Sequence, residues 1–318
     1  MHRIDTPNNV GGLFADPDPL HGQGKVVLDA AWANDVQENI MAVLAAAGVA
    51  PVKGDYDNLR DAILALITGG GRQRMLANTT FYVDLGGLDT NDGSVGAPWL
   101  TPQHAANVLM GLDLNGFTPT VDLAAGQTFT GGITIDQPLI GGAAIFQGGA
   151  GTEIDTAGTC VTAANGAIFT VKDTKLISTG GNGITSELGA VVTFDGLDFG
   201  ACASAHMSTR WGGRIRGDGS AYTVSGDATY HARMGSGDIV LNTAAIAMSG
   251  ARTFADAFLQ GDGPGTIFVQ SLVFSGPAAT GPAYSSNNGA FVNSDGTMAA
   301  ILAAGFSAGS VSNGGLWD

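Results

Sequence analysis

One feature constrains this chain more than any other: a glycine followed by a short apolar run returns at near-constant spacing. It appears at Gly142–Phe146 (GAAIF), Gly166–Val171 (GAIFTV), Gly189–Phe194 (GAVVTF) and Gly213–Arg216 (GRIR). It continues at Gly237–Leu241 (GDIVL), Gly265–Val269 (GTIFV) and Gly289–Val292 (GAFV), in steps of 24, 23, 24, 24, 28 and 24 residues. Most units carry a second strand-like run, such as Lys175–Ser178, Tyr222–Val224, Ala245–Met248 or Ser271–Phe274. A unit of about 24 residues cannot bury its apolar side chains alone, but stacked units can. Leucine-rich repeats share the period but need Leu and Asn at fixed offsets, which are missing. The pattern therefore predicts a parallel β-helix of ~24-residue coils over residues 118–295. Within it, alternate members of Ile145, Phe146, Ile168, Phe169, Val191, Ile215, Ile239, Ile267 and Phe268 point inward. An antiparallel sandwich is the second reading, because strands separated by turns look alike locally.

Composition agrees with this. Gly is 50 of 318 residues, and interior Gly costs a helix about 1 kcal/mol relative to Ala. With Lys+Arg at 13 and Asp+Glu at 28, the formal charge is −15. Such a balance repels nucleic acid and anionic membranes, since duplex binding depends on Lys and Arg neutralising phosphates. Cys160 and Cys202 have no metal-type spacing and read as free thiols, with a disulfide as the alternative. No metal or cofactor is expected. No apolar segment of signal-peptide type follows Met1, and the longest apolar run, near residues 40–50, is too short to span a bilayer. Synthesis in a cytoplasm and no membrane insertion are expected.

Ahead of the repeats, residues 1–27 are rich in Pro, Gly, Asp and Asn and read as an extended arm. Trp32, Val36, Ile40, Val43 and Ala47 then fall on one helical face, with Asp29 as N-cap and Gly48 and Pro51 ending the helix. A second helix is expected from about Asp57 to Thr68, with Leu59, Ile63, Leu66 and Ile67 as its stripe. Two short helices bury little, so these stripes are expected to meet another subunit. The domains expected are thus 1–70 (arm and two helices), 71–117 (linker and cap) and 118–318 (parallel β-helix with a terminal tail).

Two stretches resemble a known family. His2–Pro7, Gly12–Phe14 and Leu28–Ile40, the last containing Trp32, Asn34, Val36, Gln37 and Ile40 in a W-x-N-x-V-Q-E-x-I order, resemble the N-terminal segment of phage tail fibres and tail spikes. Phe81–Asp84, Gly87, Asp89, Asn91–Gly93, Pro98–Thr101, Gln103 and Ala105–Ala106 are similar to the opening of pectin-lyase-like tail spikes. The resemblance implies a mainly β fold, a right-handed parallel β-helix preceded by a small helical N-terminal domain, whose first coil is capped by a strand and a short helix at Thr101–Met110. It implies a homotrimeric structural virion protein at the tail or baseplate periphery. That protein would attach to tail or baseplate proteins through residues 1–70, with Arg3, Ile4, Asp5, Pro7, Phe14, Trp32, Asn34, Val36, Gln37 and Ile40, and would contact a host glycan or protein during adsorption. Some members cleave polysaccharides. A depolymerase, glycosidase or lyase, is therefore one alternative, and a bacterial surface adhesin is another.

Asp173, Asp195 and Asp218 follow their unit glycines by seven, six and five residues. Held in register, they would stack one rung apart, roughly 5 Å, a spacing suited to paired-carboxylate glycoside hydrolysis. The competing reading is that they are turn residues, since Asp195 and Asp218 sit in Asp-Gly pairs. The segment 205–234 gathers His206, Arg210, Trp211, Arg214, Arg216, Tyr222, Tyr230 and His231, with Arg233. Aromatic faces beside donors suit sugar recognition, and an intersubunit contact is the other reading. Asp84, Asp89, Asn91 and Asp92, before Gly93, read as a capping turn, with calcium as the lesser reading. No phosphate loop, HExxH or G-x-S-x-G motif is present.

Overall fold

The computed structural model describes residues 17–21, 30–70, 72–294 and 297–317. The chain forms two units, residues 1–73 and 74–318.

In the first unit, α1 (Ala30–Ala46) packs on α2 (Asn58–Gly70). The first helix ends where expected. Gly48 takes φ +67°, Val49 N–H donates to Leu44 O at 3.0 Å and Gly48 N–H to Ala45 O at 3.1 Å, a glycine-dependent closure of the last turn. The anticipated N-cap Asp29 lies outside the described residues. Among the described residues of this unit only Leu44 and Ala62 are buried, and neither belongs to the predicted stripes. Ile40, Leu59, Ile63, Leu66 and Ile67 are exposed, while Trp32, Val36, Val43 and Ala47 are half-buried.

The second unit is a three-faced parallel β-solenoid. Among the described residues its first face has 10 strands, its second 7 and its third 8. Paired residues on the first face lie one coil apart: Ile168 with Val191, Val191 with Arg214, Gly213 with Gly237 and Gly237 with Gly265. The longest step, Gly237 to Gly265, contains the longest third-face strand, Phe254–Gly261. One inward column runs Ala144, Phe169, Val192, Ile215, Ile239, Ile267, Val292, each at most 1% exposed. Phe146 and Phe169 meet edge to face at 5.9 Å. Ile168 points outward, and Ile145, Val191 and Phe268 are half-buried, so the expected alternation holds.

The solenoid begins earlier than residue 118. Thr80–Val83 pairs in parallel with Thr120–Leu123 and is its first rung. It also extends past residue 295. After α4 (Met298–Ala303), Ser310–Val311 and Leu316–Trp317 return to the third and first faces. The base is closed by α3 (Pro102–Gly111), whose Thr101 hydroxyl accepts from His104 N–H at 3.1 Å. Ala105, Ala106 and Leu109 are fully buried. The acidic loop before it serves backbone donors. Asp89 accepts from Leu100 N–H, Thr101 N–H and the Thr101 hydroxyl at 2.8–3.0 Å. Asp84 accepts from Gly86 N–H and Asp92 from Ser94 N–H, while Asn91 O accepts from Trp99 Nε1–H. Gly93, at φ +77°, faces the Trp99 ring where a Cβ would lie 2.6 Å away. Cys160 and Cys202 are buried free thiols. Burial pushes the Cys202 thiol up to about 12, and burial with the neighbouring Cys202 raises Cys160.

Candidate functional site

The corner from the third face to the first is a tight turn with two left-handed residues. At Asn165–Gly166 the φ values are 52° and 78°, and Ala167 N–H donates to Ala164 O at 3.0 Å. Asn288–Gly289 and Asn313–Gly314 repeat the pattern. Asn tolerates this region and Gly prefers it. Two further coils keep the left-handed pair but without Asn: Leu188–Gly189 and Trp211–Gly212, with Leu188 at φ 52° and Trp211 at φ 51°. A bulky residue there costs of order 1–3 kcal/mol. Both side chains are exposed, Trp211 at 60%. They sit one rung apart, because Glu187 pairs with Arg210 just before them.

Polar groups frame this ridge. Arg210 Cζ lies 5.0 Å from the Trp211 ring centre, and its Nε is 2.7 Å from Glu187 Oε2. Arg214 Nε lies 3.1 Å from Asp238 Oδ2. Trp211 N–H donates to Ser236 Oγ at 2.5 Å. The result is an outward indole face flanked by guanidinium and carboxylate groups, each able to bond a polar ligand edge.

The predicted aromatic and basic cluster divides. Arg210, Trp211 and Arg214 form the ridge. Arg216 is exposed further along the same first-face strand, between Thr193 and Val240. Tyr230 is half-buried on the third face, its hydroxyl donating to Asp256 Oδ2 at 2.7 Å. Burial and that carboxylate push its pKa up to about 12. Arg233 sits 5.2 Å over its ring and pairs with Asp262. His206, Tyr222 and His231 are at most 3% exposed and belong to the core, which takes them out of any surface site. Leu188, Glu187, Ser236 and Asp238 complete the ridge and were missed. The signal for Leu188 was its place before a unit glycine, where Asn165 and Asn288 stand in two other coils.

The three aspartates do not form one column. Lys172, not Asp173, pairs with Asp195. Asp173 itself turns the next corner at φ 49°, and a Cβ on Gly196 would lie 2.1 Å from its Oδ1. The register between these strands is a constant 23 residues, the same as the glycine step, so offsets of seven and six from the unit glycines put Asp173 level with Gly196 and not with Asp195. All three are exposed: Asp195 lies 4.0 Å from Lys172 Nζ, Asp218 accepts from Asn242 N–H at 3.4 Å, and Asp173 accepts from Gln147 Nε2–H at 3.5 Å. Asp173 does border a groove of about 570 Å³, together with Gln147, Glu153, Lys175 and Asp198. Lys175 stands between Glu153 and Asp198 in one column and lies 3.2 Å from Glu153. Asp198 Oδ2 accepts from the Ser225 hydroxyl at 2.9 Å. This groove was not legible from the spacing of aspartates alone.

Of the residues assigned to attachment, Arg3, Ile4, Asp5, Pro7 and Phe14 lie outside the described residues. Trp32, Asn34, Val36, Gln37 and Ile40 all lie on α1, with Asn34, Gln37 and Ile40 exposed. Among the described residues no three His, Cys, Asp or Glu side chains converge as a metal centre requires, and no helix is long and apolar enough to cross a membrane. Comparison with models of protein families, with curated proteins and with solved structures found no match.

Proposed function

We propose that the chain is a structural virion protein, a tail fibre or tail spike subunit of phage type. In this reading it joins the tail or baseplate through residues 1–70, assembles as a homotrimer and touches a host surface glycan or protein with its solenoid. The observation that carries the contact role is Trp211, held exposed in a backbone conformation that penalises it while other coils use Asn there. Strain of this kind persists where the side chain's position serves something other than stability. A flat indole beside Arg210 and Arg214 suits the apolar face and hydroxyl edge of a sugar ring. The W-x-N-x-V-Q-E-x-I sequence of residues 32–40 and the exposed stripe of α2, Leu59, Ile63, Leu66 and Ile67, support the attachment and assembly roles.

The test is binding of the full chain to an array of immobilised bacterial surface polysaccharides, with Trp211→Ala alongside. The expected outcome is retention on at least one polysaccharide and a loss of about tenfold or more in the variant, the scale of one displaced stacking contact. Equal binding by both proteins would remove the ridge from the contact surface. New reducing ends in the bound polysaccharide would instead favour a depolymerase.

A further inference from the structure

His206 and His231 occupy the same inward position on successive third-face strands, since Ala205 pairs with Tyr230 and Met207 with Ala232. Both are 0% exposed, and their Nδ1 atoms are 2.9 Å apart. Tyr222 OH lies 2.9 Å from His231 Nε2. If the phenol donates there, His231 Nδ1–H donates to His206 Nδ1, and one chain of neutral groups is complete. His206 Nε2, at its end, has no hydrogen-bond partner.

The walls are aromatic. Phe199 stacks on His206 at 5.4 Å and Phe258 on His231 at 4.6 Å, while Phe254 meets both rings by its edge. The titratable groups facing the pair from these strands are Tyr222 and the two imidazoles themselves, and no carboxylate, lysine or arginine contributes to the field at either ring. A first proton would therefore place a cation among aromatic rings, with the Gly200 backbone as the one group that favours the charge on His206. A second would set two donors against each other at 2.9 Å.

We propose that this pair is an acid-sensitive latch: on mild acidification, protonation opens the coils spanned by residues 198–261 while the coils at 120–178 stay closed. Local opening is available because each coil of a solenoid contacts only its neighbours. The earlier coils are filled by Phe146, Ile154, Phe169, Val171 and Leu176, which do not titrate. The sign follows from linkage. Burial holds His206 down to about 3, and burial with the neighbouring His206 depresses His231. The unfolded segment therefore binds more protons below the ordinary imidazole value of about 6.5. The stabilisation is complete above about pH 6.5 and is lost as pH falls below it. Between pH 7.5 and 4.5 each imidazole kept neutral raises the opening constant about 100-fold, and the two together about 10⁴-fold. Tyr222, Cys160 and Cys202 stay protonated throughout and add nothing on this side, burial having raised all three.

Hydrogen exchange of the full chain at pH 7.5 and 4.5, corrected for intrinsic rates, tests this. The expected result is a loss of protection of at least 100-fold in peptides from 198–261 and less than tenfold in peptides from 120–178. In a chain carrying His206→Phe, His231→Phe and Tyr222→Phe, the pH dependence of the 198–261 peptides should fall below tenfold. Uniform loss along the solenoid, no loss at 198–261, or an unchanged response in the triple variant would overturn the latch. Should that variant not fold, imidazole carbon shifts of the unmodified protein decide the matter. Two rings silent down to pH 5 in the folded state support it, and either ring titrating above pH 6 overturns it.

Discussion

The solenoid closes its own core, whereas the helical hairpin leaves most of its apolar side chains exposed. In the solenoid every inward position meets another one rung away, and the base is sealed by α3. In the hairpin, α1 has 17 residues and α2 has 13, and among the described residues one Leu and one Ala are buried. Under the proposed assembly, contacts made by the exposed side chains of the hairpin would add to this small burial. The largest expected effect therefore lies in the solenoid. Phe194 is 1% exposed, meets Phe199 at 5.6 Å and Tyr222 at 5.4 Å, and fills the space above Gly217. Phe194→Ala should cost about 3–5 kcal/mol in urea unfolding at neutral pH. A cost under 1 kcal/mol would mean that coils slip to refill the cavity, and the contrast with the hairpin would weaken.

The cap comes next. Burial works against the Asp89 charge, but bonds from the Thr101 hydroxyl, Thr101 N–H and Leu100 N–H outweigh it and hold the carboxyl below its ordinary value of 3.8. Its contribution is present above that value and lost as pH falls through the lower folded one. Asp89→Ala leaves two backbone donors without their acceptor and should cost about 2 kcal/mol at pH 7. The difference from the parent should shrink as pH falls below 3.8. A constant difference across pH would assign the loss to packing rather than to the charge.

The repeat was legible because coil length is a spacing, and spacing is written in sequence. Which way a side chain points was legible only where strands stay straight. His206 and Met207 are neighbours, as are His231 and Ala232, yet all four are 0% exposed. Both third-face strands bury consecutive residues there, Ala205 to Met207 in one and His231 with Ala232 in the other, so the alternation that would have sent one of each pair outward does not apply. Polar, aromatic composition in that segment therefore looked like a surface site while His206, Tyr222 and His231 line the core. Asp173 was misplaced for a simpler reason: it lies seven residues after its glycine and Asp195 six after its own, and in a register that follows the glycines that one residue separates them.

The corner supplies a smaller, opposite effect. Leu188→Asn should relieve left-handed strain worth about 1–2 kcal/mol for an L-residue, offset in part by the buried half of the Leu side chain. A net gain of about 1 kcal/mol is expected in urea unfolding. Asn165, Asn288 and Asn313 show that the turn accepts the residue. A loss would mean that Leu188 packs against its neighbours strongly enough to justify the strain, and the ridge would then be part of the core's edge rather than a display.

The smallest expected effect on solenoid stability comes from the hairpin, and it decides what the hairpin is for. Ile63 and Ile67 are exposed on α2, so Ile63→Asp with Ile67→Asp should move the urea midpoint of the β signal by no more than the ~0.5 kcal/mol usual for surface changes. Association is another matter. A homotrimer of 32.0 kDa chains has a mass of about 96 kDa, and burying two Ile per chain at a shared interface contributes several kcal/mol in total. Placing carboxylates there removes that burial and sets six like charges together. Light scattering should read about 96 kDa for the parent and about 32 kDa for the double variant at the same concentration, with the β signal intact in both. A parent that runs at 32 kDa would remove self-association as the cover of the hairpin's exposed side chains and leave a different protein in that place. A variant that stays at 96 kDa would move the assembly contact from the helices to the solenoid, whose outward Ile168 and Val191 would then be the next residues to change.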